Sequence, residues 1–166
     1  MRNQYKVLTE KYNTVLNENA RAVYEKLANE FLNCTTMEEL KKILKNSPIN
    51  LHKLKIPTLS DIIRDKIKDL DLPNLPKEYP YSPDVWAHSA LTSMIAAIKC
   101  EEFMALRASG DQAALATNRN VYGDPNTVGK QAKIYWNMWQ RVYGPYMAAQ
   151  KSIKKQSDEL GINLDI

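Results

Sequence analysis

An acid and a histidine one helical turn apart are the residues of this sequence with the clearest chemical potential. Asp84 and His88 could share a metal ion if both lie on one face of a helix. The only other histidine, His52, lies far away in the chain, and two ligands do not make a metal site. We therefore expect no metal, and we interpret the pair as an acid at a helix start beside a partly buried histidine.

The position of Glu102 is a second unusual feature of the sequence. At helical spacing it falls in line with Leu91, Ile95 and Ile98, near the middle of an apolar face. A buried carboxylate must be paired, hydrogen-bonded or protonated, so Glu102 could act with His88 as an acid/base residue of a helical enzyme. The alternatives are an ion pair with a Lys or Arg, or a helix end that has left the core. We favour a structural role and expect no catalytic residue.

The segment 123–131 resembles a phosphate-binding loop, but its spacing differs. Five residues instead of four separate Gly123 from Gly129, and Gln131 stands where a Ser or Thr would hold magnesium. No predicted strand precedes the segment. We expect an ordinary turn and helix start here, and no bound nucleotide or other cofactor.

The cysteine content and the N-terminal sequence indicate a reducing compartment. Cys34 and Cys100 are too few for a disulfide framework or a zinc site, and neither lies in an acid–histidine arrangement. The first residues form no apolar signal segment, so we expect a cytoplasmic or virion protein that no classical signal peptide exports. The uncharged stretch 85–98 is too short to span a bilayer and predicts a buried helix, with no membrane contact.

These residues must be positioned by helices. The chain has only five Gly, none of them before Gly110, and is rich in helix-forming residues. Apolar periodicity predicts an all-α fold of about five helices in a single domain, 1–166, with a proline-rich extended strap at 72–82. Three long helices are expected to pack as an irregular bundle, at roughly 4–32, 83–108 and 127–160.

Local signals define the expected helix ends. Thr36 with Glu39 forms a capping box for a short helix ending near residue 45, and Ser60 is the expected cap of a helix at 61–70. Ser82-Pro83-Asp84 is a strong start signal, and Gly110 and Gly161 are stop signals. One further helical turn is expected near 112–116. Pro145 predicts a kink in the last helix rather than two independent helices.

The aromatic surface of the last helix exceeds what one core-facing stripe uses. Trp139 belongs to the main apolar stripe, while Trp136, Tyr143 and Met147 form a second row about 100° away. Trp, Tyr and Met are enriched where proteins contact other proteins. We therefore predict an interface at these four residues, the alternative being that other parts of the same domain cover the second row.

Charge does little to narrow the function. Residues 1–78 carry 14 basic and 11 acidic groups, residues 79–129 carry 3 and 5, and residues 130–166 carry 6 and 3. This balance permits nucleic-acid contact without implying it. The two Lys-bearing helices predicted before residue 70 are not joined by the short turn of a helix-turn-helix. The favoured function is a non-enzymatic structural or assembly subunit that binds copies of itself or other proteins, such as a viral or phage connector or adaptor. The alternative is a small helical nucleic-acid-binding or regulatory protein.

Overall fold

The computed structural model describes residues 20–72, 81–116 and 123–161, and within these ranges the chain is helical with no strand. The all-α prediction is confirmed, with six helices in place of about five. The predicted helix residues 4–19 and most of the proline-rich strap lie outside the described ranges. The helices are α1 (20–33 in its described part), α2 (Met37–Lys45), α3 (Ile56–Ile67), α4 (Pro83–Ala108), α5 (Gln112–Leu115) and α6 (Pro125–Leu160).

The start of α2 follows the predicted capping chemistry with one displacement. The Thr36 hydroxyl accepts a hydrogen bond from the Glu39 backbone N–H at 3.1 Å. The Glu39 carboxylate accepts from the backbone N–H of Thr35, at 3.2 Å, instead of from that of Thr36. The Glu39 carboxylate therefore holds the backbone at Thr35, one residue before the cap, in the turn between α1 and α2.

The predicted start of α3 at Ser60 is wrong. The helix begins five residues earlier, with Lys55 at the N-cap and Pro57 in the first turn, and it ends at Ile67. Proline suits the first turn because its missing N–H would have no helical partner there. A distant contact fixes this start, since the Tyr24 hydroxyl accepts a hydrogen bond from the Lys55 N–H at 2.8 Å. Ser60 is instead a buried residue within the helix.

The two long C-terminal helices begin at proline and end at glycine. α4 starts at Pro83 after Ser82, as predicted, although the Ser82 hydroxyl donates to the Asp84 carboxylate instead of capping a backbone N–H. α4 ends as predicted before Gly110, whose φ of +85° requires the left-handed region. The N–H groups of Gly110 and Asp111 close the last turn on the carbonyls of Arg107 and Leu106, respectively.

α6 repeats this pattern over a greater length. It begins at Pro125, two residues before the predicted start, because the Asp124 carboxylate accepts hydrogen bonds from the N–H and the hydroxyl of Thr127. It runs through Pro145 as one helix and ends at Gly161, which has a φ of +66°. At 1.5 Å per residue, its 36 residues extend over about 54 Å.

α4 and α6 form an antiparallel pair that is staggered along its axis. The rings of Trp86 and Tyr135 lie 6.4 Å apart, and the Cys100 thiol lies 3.7 Å from the Gly123 carbonyl oxygen. By this register, the first residue of α4 is level with about Trp139, and α4 beyond about Ile98 extends past the start of α6. Each helix therefore overhangs the other at its C-terminal end.

A shared hydrophobic core covers the overlapping part of this pair. Trp139 is completely buried, as are Leu91 and Ile98 of α4. Residues of α1, α2 and α3 belong to the same cluster. Burial on α6 stops at Tyr143, and beyond it only Ser157 is buried. The core thus leaves most of the α6 overhang with solvent-accessible side chains.

Candidate functional site on helix α6

Three of the four predicted interface residues pack inside the chain's own core. Trp136, Trp139 and Tyr143 are 4%, 0% and 5% exposed. Trp139 stacks on Tyr143 with ring centroids 4.8 Å apart and on Phe31 of α1 at 5.5 Å, while Trp136 meets Phe31 edge to face at 6.3 Å. These three side chains are therefore not free surface in the single chain, because Phe31 of α1 packs on Trp136 and Trp139, and Tyr143 packs on Trp139. Whether these residues contribute to partner binding stays a prediction.

Met147, the fourth predicted residue, lies at a groove where α1 ends against α6. It is partly buried, and the groove has a volume of about 340 Å³. Tyr143 forms part of the wall, so two of the predicted residues do reach one concave surface. The lining side chains are Asn33, Tyr143, Tyr146, Met147, Gln150, Lys151 and Lys154.

The polar groups of this groove are only partly satisfied. Burial raises the pKa of the Tyr143 phenol to about 12, and the neighbouring Tyr146 adds to this rise. The side-chain oxygen of Gln150 is buried and accepts no hydrogen bond within the described residues. Two lysines lie at the rim and no carboxylate lines the described part of the wall. The groove therefore offers a neutral, hydrogen-bonding floor beside positive charge.

Six basic side chains lie along one side of α6, and two of them, Lys151 and Lys154, also line the groove. All six are exposed, and the helix has no acidic residue from Pro125 to Ser157. At 100° per residue they fall within a sector of roughly 140°. We call this surface the basic face, and its residues are Lys130, Lys133, Arg141, Lys151, Lys154 and Lys155. The 33-residue stretch without an acid is the sequence signal for this surface, which helix periodicity of the apolar residues does not reveal.

Three basic residues of α2 and α3 have acidic partners. The Lys41 and Lys45 ammonium groups of α2 lie 2.5 and 3.7 Å from the Glu101 carboxylate. Arg64 of α3 lies 2.9 Å from Asp61 and 3.2 Å from Asp84. Within the described residues, no member of the basic face makes an ion pair. Other exposed lysines, such as Lys66 and Lys68, also make no ion pair within the described residues. The basic face differs from them because its six cations lie along one helix that has no acid before Asp158.

Asp84 and His88 do not act together. Asp84 engages Arg64 of α3, whereas the His88 ring lies 2.6 Å from the hydroxyl of Ser60 through Nδ1 and 3.5 Å from that of Thr92 through Nε2. A serine–histidine pair can activate a nucleophile when a carboxylate orients the second ring nitrogen. A hydroxyl takes that place here, and Ser60 is buried within a helix. The contact joins α3 to α4.

Glu102 lies outside the core. Its side chain is 49% exposed and its carboxylate lies 3.9 Å from Nε2 of His52. Of the three interpretations, a helix end that has left the core is the one observed, because α4 overhangs α6 from about Ile98 onward. The expected Lys or Arg partner is replaced by a histidine from the connector between α2 and α3.

The remaining sequence candidates take structural positions. Both cysteines are buried, and burial raises the pKa of the Cys34 thiol to about 12, with Glu39 and Glu30 adding to the rise. Gly123 precedes the cap of α6, where Asp124 occupies the first-turn N–H group of Thr127 that an anion would need. In the described part of the chain, no three His, Cys, Asp or Glu side chains are grouped to hold a metal ion.

Comparison with known proteins assigns this chain to no family. No protein-family model, curated protein or solved structure significantly matches this chain. Among the described helices, none combines the length and apolar character needed to cross a membrane.

Proposed function

We propose that this protein is a non-enzymatic assembly subunit that binds copies of itself or other chains through its helices. The observation that supports this function is the α4 overhang. It exposes Met104 and Leu106, which are 43% and 49% accessible, and the adjoining α5 exposes Leu115 at 45%. Removing such side chains from water stabilises a complex by roughly 25 cal/mol per Å² of apolar surface. Met104 and Leu106 lie about 200° apart on α4, so a partner that wraps around this end would supply contacts that the described residues do not.

The composition favours a virus- or phage-encoded virion component, such as a connector or adaptor. The chain is rich in Lys and Asn and poor in Gly, and its described part has long helices. In this proposal the protein is found in the cytoplasm or the virion. The contacts of His88, Glu102 and the two cysteines support a structural role for each of them.

The mass of the native particle tests the assembly proposal. We expect sedimentation of the wild-type protein over a concentration series to give a mass above the 19.0 kDa of one chain. Met104→Glu with Leu106→Glu should return the mass toward the monomer, because charged groups would be desolvated at the contact. Ile134→Glu is the matched control, since Ile134 is 57% exposed and lies on α6. A monomeric wild type at every concentration, or equal effects of both variants, would contradict the proposal.

The second candidate function is nucleic-acid binding, which the basic face favours. A salt series separates the two, because phosphate contacts weaken steeply with salt whereas apolar contacts do not.

A further inference from the structure

The basic face is electrostatically unfavourable in the free chain. Lys151 lies three and four residues from Lys154 and Lys155, and Lys130 lies three residues from Lys133. Like charges at these helical spacings repel each other. Asp158 and Glu159, three or four residues beyond Lys154 and Lys155, offset this repulsion only at the end of α6. An extended anion laid along the helix would remove this repulsion.

The dimensions of the face suit a regular polyanion. Lys130 and Lys155 are 25 residues apart, which corresponds to roughly 38 Å along the helix axis. This length spans roughly 11 base pairs of a duplex at 3.4 Å per base pair. A single acidic side chain, or a short acidic peptide, would engage only one end of the face.

A membrane surface fits α6 less well than nucleic acid does. A helix that lies in a bilayer interface must insert an apolar face beneath its basic one. Up to Tyr143 the apolar face of α6 is occupied by the core, since Trp136, Trp139 and Val142 are all buried, and beyond it Ile153 and Leu160 are exposed. On the basic side, Ile134 is the large apolar residue exposed among the lysines. The exposed apolar surface of α6 is therefore limited to a few separate side chains, less than the continuous apolar face of an interfacial helix.

We propose that the basic face of α6 binds the phosphate backbone of duplex nucleic acid, independently of base sequence. The lysines and Arg141 contact phosphates, and each contact releases condensed counterions. The proposal rests on the second candidate function and deepens it by naming the duplex backbone as the ligand. It is independent of the assembly function, because its residues lie on α6 and those of the assembly surface lie on α4 and α5.

Binding to a labelled 20-base-pair DNA duplex, followed by fluorescence anisotropy over a salt series, tests the proposal. We expect Lys151→Gln with Lys154→Gln and Lys155→Gln to weaken binding at least tenfold at low salt. The slope of log K against log salt should fall by roughly 2 to 3, about 0.9 for each phosphate that the variant no longer neutralises. Duplexes of different sequence should bind with equal affinity.

A charge-matched variant provides the control. Lys53→Gln with Lys66→Gln and Lys68→Gln removes the same charge from exposed positions in α3 and the connectors on either side of it. This variant should bind within about threefold of wild type. Equal weakening by both triple variants would overturn the proposal, because binding would then follow net charge alone. No binding to the duplex at 50 mM salt, or tighter binding to anionic phosphatidylserine vesicles than to the duplex, would also overturn it.

The assembly variant separates the two proposals. Met104→Glu with Leu106→Glu should leave the DNA affinity per chain within about threefold of wild type. If the wild-type protein is a monomer and binds the duplex, the assembly proposal is refuted and the nucleic-acid proposal is retained. If the wild-type protein is an oligomer and does not bind the duplex, the nucleic-acid proposal is refuted and the assembly proposal is retained.

Discussion

The aromatic stack of Phe31, Trp139 and Tyr143 decides the role of individual residues on α6. Phe31 lies more than 100 positions earlier in the chain, yet its ring stacks on Trp139 and meets Trp136 edge to face. Aromatic pairs of this kind contribute about 0.5–1.5 kcal/mol beyond the burial of their area. Residues that a single-helix pattern assigns to a surface are thus part of the interior.

Truncation of the second aromatic row should therefore unfold the protein. We expect Trp136→Ala with Tyr143→Ala to lower the free energy of unfolding by more than the roughly 3–5 kcal/mol typical of one buried Trp. Urea denaturation followed by circular dichroism measures this change. Met147→Ala, at a partly buried position beside the groove, is the milder control. Wild-type stability combined with loss of a partner would instead support the original interface prediction.

Cys34 should be inert while the chain is folded. Its pKa is raised from 9.0 to about 12, so the reactive thiolate is scarce at pH 8. A Cys100→Ala background isolates Cys34, and we expect a disulfide reagent to label it only after unfolding. Rapid labelling of the native protein would contradict this expectation.

The same shift links stability to alkaline pH. A thiol whose folded pKa exceeds its unfolded value contributes stability below about pH 9, and this contribution is lost as pH rises toward 12. Tyr143 acts in the same direction, with its pKa raised from 10.0 to about 12. Cys34→Ala should therefore flatten, without abolishing, the decline in stability above pH 9. An identical alkaline decline in both proteins would show that Cys34 has no part in it.

At the scale of single helices, local chemistry predicts most boundaries. Ser82-Pro83, Gly110 and Gly161 act within a few residues of the ends they define, so the sequence reveals them directly. α3 is the exception, because Pro57 and Ser60 both signal a helix start. The choice between them rests on the hydrogen bond from Lys55 to Tyr24, a contact 31 residues apart that no local pattern contains.

Two glycines at α6 should respond to substitution in opposite ways. Gly129 has helical backbone, and a Cβ atom added there meets nothing within 4 Å. Gly129→Ala should stabilise the fold by about 0.5–1 kcal/mol, because Gly loses more backbone entropy in a helix. Gly161 has open space too, but its φ of +66° makes Gly161→Ala unfavourable. Chemical denaturation of the two variants compares them, and a loss of stability in Gly129→Ala would contradict this account.

At the scale of the whole molecule, the stagger of α4 and α6 explains what sequence patterns miss. Glu102 lies in line with core residues, but the helix leaves the core before reaching it. The basic face lies on the helix that carries the predicted aromatic interface. Its residues make no ion pair within the described part of the chain, whereas Lys41, Lys45 and Arg64 do. Periodicity assigns residues to a helix face, whereas exposure depends on where neighbouring helices end.

Burial of every indole has an optical consequence. The chain's three tryptophans, Trp86, Trp136 and Trp139, are at most 5% exposed, so ultraviolet-excited indole emission originates in the core. Its wavelength should move to the red when water enters, and should stay unchanged when an anion settles on the outer side of α6. Intrinsic fluorescence therefore reports on the integrity of the interior while remaining silent to events at the basic face.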